Sequence, residues 1–152
     1  MYYYLITLLV LVLDQATKWV VISQMEIGEK ITVIPGFLYW LSYRNNGAAW
    51  SILEGKMWLF YIITIVVSVA IIYIMAKYAK GKPLFSISLA LILGGALGNF
   101  IDRILHKEVV DFVSTVWGNY HFPIFNLADA ALSIGVVLML IYIVLDDRKT
   151  KG

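Results

Sequence analysis

The sequence contains no cysteine and only two histidines, His106 and His121. Without cysteine there can be no disulfides, thiol nucleophiles or cysteine-based metal sites. The two histidines do not form an HExxH motif, so we do not expect a zinc protease of that type. The chain also lacks a glycine-rich phosphate loop and a basic stripe, so we expect no cofactor and no nucleic acid partner.

Charge is scarce as well, because 14% of the 152 residues are charged whereas 61% are hydrophobic. An average soluble domain has about 25% charged and about 45–50% apolar residues. Lipid must therefore cover part of this chain, and its length suggests a single domain.

Four segments are apolar enough to cross the hydrocarbon core, which takes about 20 residues. We expect spans at residues 3–22, 57–76, 84–103 and 127–145, outer segments at 23–56 and 104–126, and inner segments at 77–83 and 146–152. The first segment could also be a removable signal peptide. It lacks Lys or Arg before its apolar run, however, and it carries Asp14 and Lys18 where a cleavage site should follow.

Basic residues give the orientation. Three lysines lie in the 77–82 connector, and Arg148, Lys149 and Lys151 lie in the C-terminal tail. Because such residues are retained in the cytoplasm, both termini should be cytoplasmic.

The first outer segment has a turn signal at Pro35-Gly36, followed by an alternating pattern over residues 37–44. We therefore predict an all-α membrane protein with four transmembrane helices and a small extracytoplasmic β-sheet or hairpin between helices 1 and 2. Residues 109–117 alternate more loosely, so Asp111 should lie on a short strand or just past a helix end.

Ionisable residues within the spans are costly and are therefore functional candidates. Asp14 and Lys18 lie one helical turn apart, which predicts either a packing ion pair or a functional one. Asn99 and Arg103 have the same spacing, with Asp102 beside them. Because Gly94, Gly95 and Gly98 favour close helix packing, we interpret this second group as structural or substrate-orienting.

Asp111 and Asp129 have no basic residue near them in sequence. Asp111 could be an exposed loop acid, and Asp129 could complete a capping box with Asn126. The expected topology nevertheless places both acids at the outer face. Two carboxyls that share a site keep one proton between them, which is the arrangement of aspartic proteases.

Taken together, these residues resemble the lipoprotein signal peptidase (signal peptidase II) family over nearly the whole chain. The resemblance rests on four blocks in order: Asp14-Gln15-Ala16-Thr17-Lys18, Asn45-Asn46-Gly47-Ala48-Ala49-Trp50, Gly94 to Arg103 with Val109-Val110-Asp111-Phe112, and Phe125-Asn126-Leu127-Ala128-Asp129. Trp50 stands where the family commonly has phenylalanine.

The resemblance implies an aspartic endopeptidase with Asp111 and Asp129 as its catalytic pair. The residues that it implies to line or support the site are Asp14, Lys18, Asn45, Gly47, Asn99, Arg103 and Asn126. It implies that the enzyme removes the signal peptide from diacylglyceryl-modified prolipoproteins, cutting N-terminal to the lipidated cysteine. We expect a monomer in contact with phospholipid in the bacterial plasma membrane, with its active site at the outer face. Our own hypothesis is that aromatics of the sheet, such as Phe37 and Trp40, clamp the substrate from above.

Two other functions fit parts of the sequence. A small transporter or channel subunit would use Asp14, Lys18, Asp102 and Arg103 as an ion path. A non-catalytic lipid-binding or assembly protein would use every acid for packing or capping.

Overall fold

The computed structural model describes residues 3–47 and 56–151, which form four long helices and a small sheet. The elements in chain order are α1 (Tyr3–Gln24), β1 (Lys30–Ile34), β2 (Leu38–Asn45), α2 (Met57–Tyr78), α3 (Pro83–His106), β3 (Val109–Trp117), β4 (Tyr120–His121) and α4 (Leu127–Lys151). Each helix is long and apolar enough to cross a membrane. The predicted class of four spanning helices with a small sheet is confirmed. The helices run past the expected C-terminal limits of 22, 76, 103 and 145.

The sheet is larger than a hairpin between the first two helices. Its four strands lie in the order β1-β2-β3-β4, and all neighbours are antiparallel. The second pair of strands comes from the segment between α3 and α4. Asp111 therefore lies on a strand, which resolves the alternatives that the sequence left open.

The alternation expected in β2 is interrupted in the middle of the strand. Its register against β3 shifts between Trp40 and Tyr43. There, the backbone of Ser42 exchanges hydrogen bonds with Gly28 and Glu29. Ser42 is buried at this irregularity, so exposure does not simply alternate along the strand.

The first helix shows how the bundle is organised, because its polar residues point inward. The buried stripe contains Thr7, Asp14 and Lys18, whereas large apolar residues such as Leu8 and Leu9 are exposed. In lipid this is the favourable arrangement, since apolar side chains are solvated by lipid tails and polar ones must find partners inside.

The third helix is the centre of the bundle and packs against each of the other three. Its glycines allow this close approach. A methyl group at Gly98 would come within 2.5 Å of Asp14 Oδ2, and one at Gly95 would collide with the carbonyl oxygen of Ala128. We call the end of the bundle next to the sheet the sheet end, and the end at the 79–82 connector the connector end.

Candidate active site

Asp111 and Asp129 meet at the sheet end of the bundle. Asp111 is the third residue of β3 and is 2% exposed, and Asp129 lies in the first turn of α4. Both line one cavity of about 690 Å³. Two acids that are 18 positions apart in the chain thus face the same space.

Asn126 joins the two acids. This fully buried residue donates from Nδ2 to Asp111 Oδ1 at 2.7 Å, and its backbone N–H donates to Asp129 Oδ2 at 3.1 Å. The backbone N–H of Asp129 in turn donates to Asn126 Oδ1 at 2.9 Å. These last two bonds form a capping box, so the capping interpretation of Asp129 is confirmed. Capping does not conflict with a role beside Asp111, because the capped carboxyl still lines the cavity.

Two further asparagines complete the hydrogen bonding of the acids. Asn45, at the end of β2, donates to Asp111 Oδ2 at 2.9 Å, and Asn99 on α3 donates to Asp129 Oδ1 at 2.7 Å. Each carboxyl therefore accepts two N–H groups, and β2, β3, α3 and α4 all contribute to holding the pair.

The electrostatics of Asp111 differ from those of a solvated acid. Burial, and then the charge of Asp129, raise the pKa of Asp111 from 3.8 to about 7, although the bonds from Asn45 and Asn126 and the charge of Lys18 lower it. Near neutral pH this carboxyl exchanges a proton readily, as general acid catalysis requires.

Behind the two acids lies a group that we call the buried polar cluster: Asp14, Gln15, Lys18 and Asp102. The Lys18 ammonium contacts Asp14 Oδ2 at 2.8 Å, Asp102 Oδ2 at 3.0 Å and Asn99 Oδ1 at 3.0 Å. Three acceptors use the full donor capacity of an ammonium group. The ion pair expected from the spacing of Asp14 and Lys18 is present, and it has a second acid.

The partner of Asp102 could not be read from its neighbours in sequence. The sequence grouped Asp102 with Arg103, whereas the structure pairs it with Lys18 on α1 and with Gln15, whose Nε2 donates to Asp102 Oδ1 at 3.0 Å. Gln15 and Asp102 were not among the residues that the resemblance implied to line or support the site, although Asp102 belonged to the group interpreted as structural or substrate-orienting. One signal could have indicated Asp102, because it lies three residues after Asn99 on the same face of α3.

Arg103 lines the cavity, and its guanidinium contacts backbone carbonyls and an aromatic ring. Its Nη2 donates to the carbonyl oxygen of Gly47 at 3.4 Å, its Nη1 donates to that of Asn99 at 3.5 Å, and its guanidinium lies 4.4 Å from the ring centre of Phe60. Within residues 3–47 and 56–151, its buried Nε has no hydrogen-bond partner. The hydrogen-bond acceptors of its guanidinium are therefore backbone carbonyl oxygens.

The expected supporting residues therefore fall into two groups. Those that line the cavity are Asn45, Gly47, Asn99 and Arg103, and those that lie behind it are Asp14, Lys18 and Asn126. Residues Ala48, Ala49 and Trp50 of the second sequence block lie outside the described part of the chain.

The remaining cavity wall is largely apolar, and its lining includes Thr64 of α2, Ala96 of α3 and the 122–125 segment. The aromatics of β2 and Phe37, the residue just before it, are not part of this lining. Phe37 packs edge-to-face on Trp117 at 5.0 Å, and Trp40 packs likewise on Phe112 at 6.5 Å. Contact between these rings and a substrate stays a prediction. Among the described residues, no three His, Asp or Glu side chains are grouped as metal ligands would be.

Comparisons with known proteins agree over the whole chain. A family model described as signal peptidase (SPase) II matches residues 6–145. The lipoprotein signal peptidase of Listeria monocytogenes serotype 4a (strain HCC23) is 78% identical over 152 residues, covering 100% of this chain and 99% of the relative. That of Bacillus pumilus (strain SAFR-032) is 52% identical over 151 residues, covering 99% and 97%.

The tertiary structure gives the same result. A solved bacterial membrane enzyme superposes with a TM-score of 0.92 at 47% identity, covering 99% of this chain and 91% of its own. A second has a TM-score of 0.86 at 48% identity, covering 93% and 91%. With a family match over residues 6–145 and relatives matched along their full length, the chain belongs to the signal peptidase II family and is a multi-span membrane peptidase.

Proposed function

We propose that this protein is an aspartic endopeptidase that removes the signal peptide from diacylglyceryl-modified prolipoproteins, cutting N-terminal to the lipidated cysteine. The observation that carries the proposal is the pairing of Asp111 and Asp129 through one buried asparagine at the wall of a single cavity. The names of the relatives support the substrate class, since they are lipoprotein signal peptidases.

The reaction proceeds by direct attack of water, without an acyl-enzyme. The oxygen of the water molecule bonds to the scissile carbonyl carbon while Asp129 takes a proton from that water. At the same time, protonated Asp111 gives its proton to the carbonyl oxygen. When the tetrahedral intermediate collapses, the C–N bond breaks. The amine receives a proton from Asp129, and the hydroxyl returns one to Asp111.

The assignment of the resting proton to Asp111 follows from the environments of the two acids. Burial and the charge of Asp129 raise the pKa of Asp111 to about 7. Asp129 instead accepts a backbone N–H in the first turn of α4, where the helix dipole favours a carboxylate.

The orientation in the membrane is part of the same proposal. Lys77, Lys80 and Lys82 lie at the connector end, and the cavity lies at the other end of the bundle. With the basic connector and both termini in the cytoplasm, the cavity opens at the outer face of the plasma membrane. We propose that the enzyme works there as a monomer in contact with phospholipid.

The contacts of the buried polar cluster favour a peptidase over a transporter. Lys18 is 2% exposed, and its three acceptors belong to the protein itself. An ion path would need these groups to meet water or a transported ion. The carboxyls that line the cavity of about 690 Å³ are those of Asp111 and Asp129, and Asp14 and Asp102 are not part of its lining.

The test is cleavage of a diacylated prolipoprotein by the purified protein. Asp111→Asn and Asp129→Asn should each lower turnover by about 10²–10⁴-fold, the usual contribution of general acid–base catalysis. Asp147→Asn, the same substitution far along the helix that carries Asp129, should leave turnover unchanged. Full activity in both site variants would refute the proposed mechanism, and no cleavage by the wild type would refute the proposed substrate.

A further inference from the structure

The buried polar cluster makes contact with the backbone immediately before each acid. Asp102 Oδ2 accepts the N–H of Val110, the residue before Asp111, at 3.1 Å. Asp14 Oδ1 accepts the N–H of Ala128, the residue before Asp129, at 2.9 Å. The two contacts are equivalent, although one holds a strand and the other holds the start of a helix.

The two acids of the cluster are also cross-linked to each other. Lys18 contacts one oxygen of each acid, and Gln15 Nε2 donates to Asp14 Oδ2 at 3.2 Å and to Asp102 Oδ1 at 3.0 Å. Gln15 also donates to the carbonyl oxygen of Gly98 at 3.2 Å. One set of side chains on α1 and α3 thus ties the backbone of β3 to the backbone of α4.

We propose that the buried polar cluster is a positioning device, which fixes the separation of the Asp111 and Asp129 carboxyls through the backbone that carries them. Gln15 and Asp102 are then positioning residues for the reaction, and neither touches the substrate. The inference rests on the proposed function, because it assigns a purpose to the distance between the two catalytic acids.

Burial supports this role over simple ion pairing. Asp14, Lys18 and Asp102 are at most 3% exposed. Bonds between fully desolvated, ionised groups are short and directional, so they resist displacement more than apolar contacts do. A displacement of Asp14 or Asp102 is therefore passed to the other acid of the cluster. Through the backbone that these two acids hold, it reaches both carboxyls of the active site.

Gln15→Leu gives the sharpest test, because Gln15 is half-buried at the surface of α1 and leucine suits a membrane helix. The variant keeps the side-chain size but removes the link between Asp14 and Asp102. Displacement of a reacting group by 1 Å costs about 10²-fold in rate, so a partial loosening should lower kcat roughly 10-fold or more while KM stays unchanged. The matched control is Gln24→Leu, the same change at an exposed position on α1, which should behave as wild type.

The pH profile of kcat separates positioning from a loss of folded protein. Repulsion between the two carboxyls separates the two apparent pKa values that set the acidic and basic limbs of the bell-shaped profile. If the carboxyls move apart, this repulsion weakens and the two limbs move closer together. Unfolding of a fraction of the molecules scales the profile and leaves its shape unchanged. Gln15→Leu should therefore narrow the profile, and Asp102→Asn should narrow it further.

A wild-type profile and kcat in Gln15→Leu would overturn the inference, whether or not Asp102→Asn folds. A fall in kcat that matches the folded fraction, with the profile unchanged, would also overturn it. The dyad itself is tested by Asp111→Asn and Asp129→Asn in the same assay. If those variants are inactive and Gln15→Leu is normal, the positioning role fails and the proposed function stands.

Discussion

The two ends of the helix bundle are held together by different forces. At the connector end the buried cluster is apolar and consists of Tyr3, Ile71, Met75, Ala79, Leu89, Ala90 and Leu93. The sheet end has its own small apolar cluster, but beside it charged and amide side chains are buried as well, and they bond to one another and to the backbone. The connector end can tolerate small displacements, whereas the sheet end has directional contacts that fix atomic positions.

This difference indicates that the two ends of the bundle contribute differently to stability and to catalysis. Apolar packing between helices in lipid depends on close contact and small residues, and it sets no particular angle for any functional group. Hydrogen-bonded networks specify geometry, but they cost free energy when one member is lost. Substitutions at the sheet end should therefore lower both the rate and the stability, whereas substitutions at the connector end should lower the stability and leave the rate nearly unchanged.

After substitution of the two acids themselves, the largest effect is expected for Asn126→Ala. This change removes the side chain that bonds Asp111 and caps α4, so turnover should fall by about 10²-fold or more. Stability should fall by about 1–3 kcal/mol, because buried partners are left without hydrogen bonds. Cleavage rates per folded molecule and thermal melts measure the two effects. Asn119→Ala, at an exposed turn, is the control, and equal losses in both variants would contradict the comparison.

The next effect concerns pH and the buried acid at the sheet end. Because the pKa of Asp111 is raised to about 7, the acid is protonated below that pH and ionised above it. Cleavage should therefore fall by about tenfold for each pH unit well above 7, as the general acid is lost. A rate that stays constant up to about pH 9 would show that Asp111 does not supply the proton.

The free energy of unfolding should also depend on the protonation of Asp111, and it should decrease as pH rises. The folded protein holds this proton more tightly than the unfolded chain, whose Asp has a pKa near 3.8. The stabilising contribution is complete below 3.8 and is lost as pH rises to about 7. Melting temperatures measured across this range for the wild type and for Asp111→Asn should show a smaller decrease with pH in the variant.

The smallest effect on catalysis is expected at the connector end. Leu89→Ala removes a side chain that is 5% exposed in the apolar cluster. It should destabilise the protein by about 2–5 kcal/mol through the cavity it leaves. The rate per folded molecule should stay within about twofold of wild type, since Leu89 packs in the apolar cluster and does not line the cavity that holds the two acids. Leu8→Ala, which faces lipid, is the control, and a large fall in kcat for Leu89→Ala would remove the distinction between the two ends.

Several features could be predicted from particular residues. The long apolar runs indicated four helices, and the spacing of Asp14 and Lys18 indicated an ion pair on one face of α1. The order Asn126 to Asp129 indicated a capping box, because capping depends on residues three positions apart. Each of these depends on neighbours within about one helical turn, which is the range that a local pattern can report.

Other features depended on contacts between distant segments. The sequence placed a hairpin between α1 and α2, but β3 and β4 join it because the 107–126 segment returns across the same end of the bundle. It grouped Asp102 with Arg103, but Asp102 faces α1 and Arg103 turns toward Phe60 and Gly47. Neighbouring residues on a helix point about 100° apart, so adjacency in sequence separates them in space.

The sequence by itself determined the four spanning helices, the family and the two acids that we propose as catalytic, because hydropathy, capping and motif order are properties of short stretches of chain. Only the tertiary structure decided how those acids meet. Asn126 bonds to Asp111 across 15 positions, and Asp14 accepts the N–H of Ala128 across 114 positions. Such distances are set by how helices and strands pack against one another, and packing is a property of the whole folded chain.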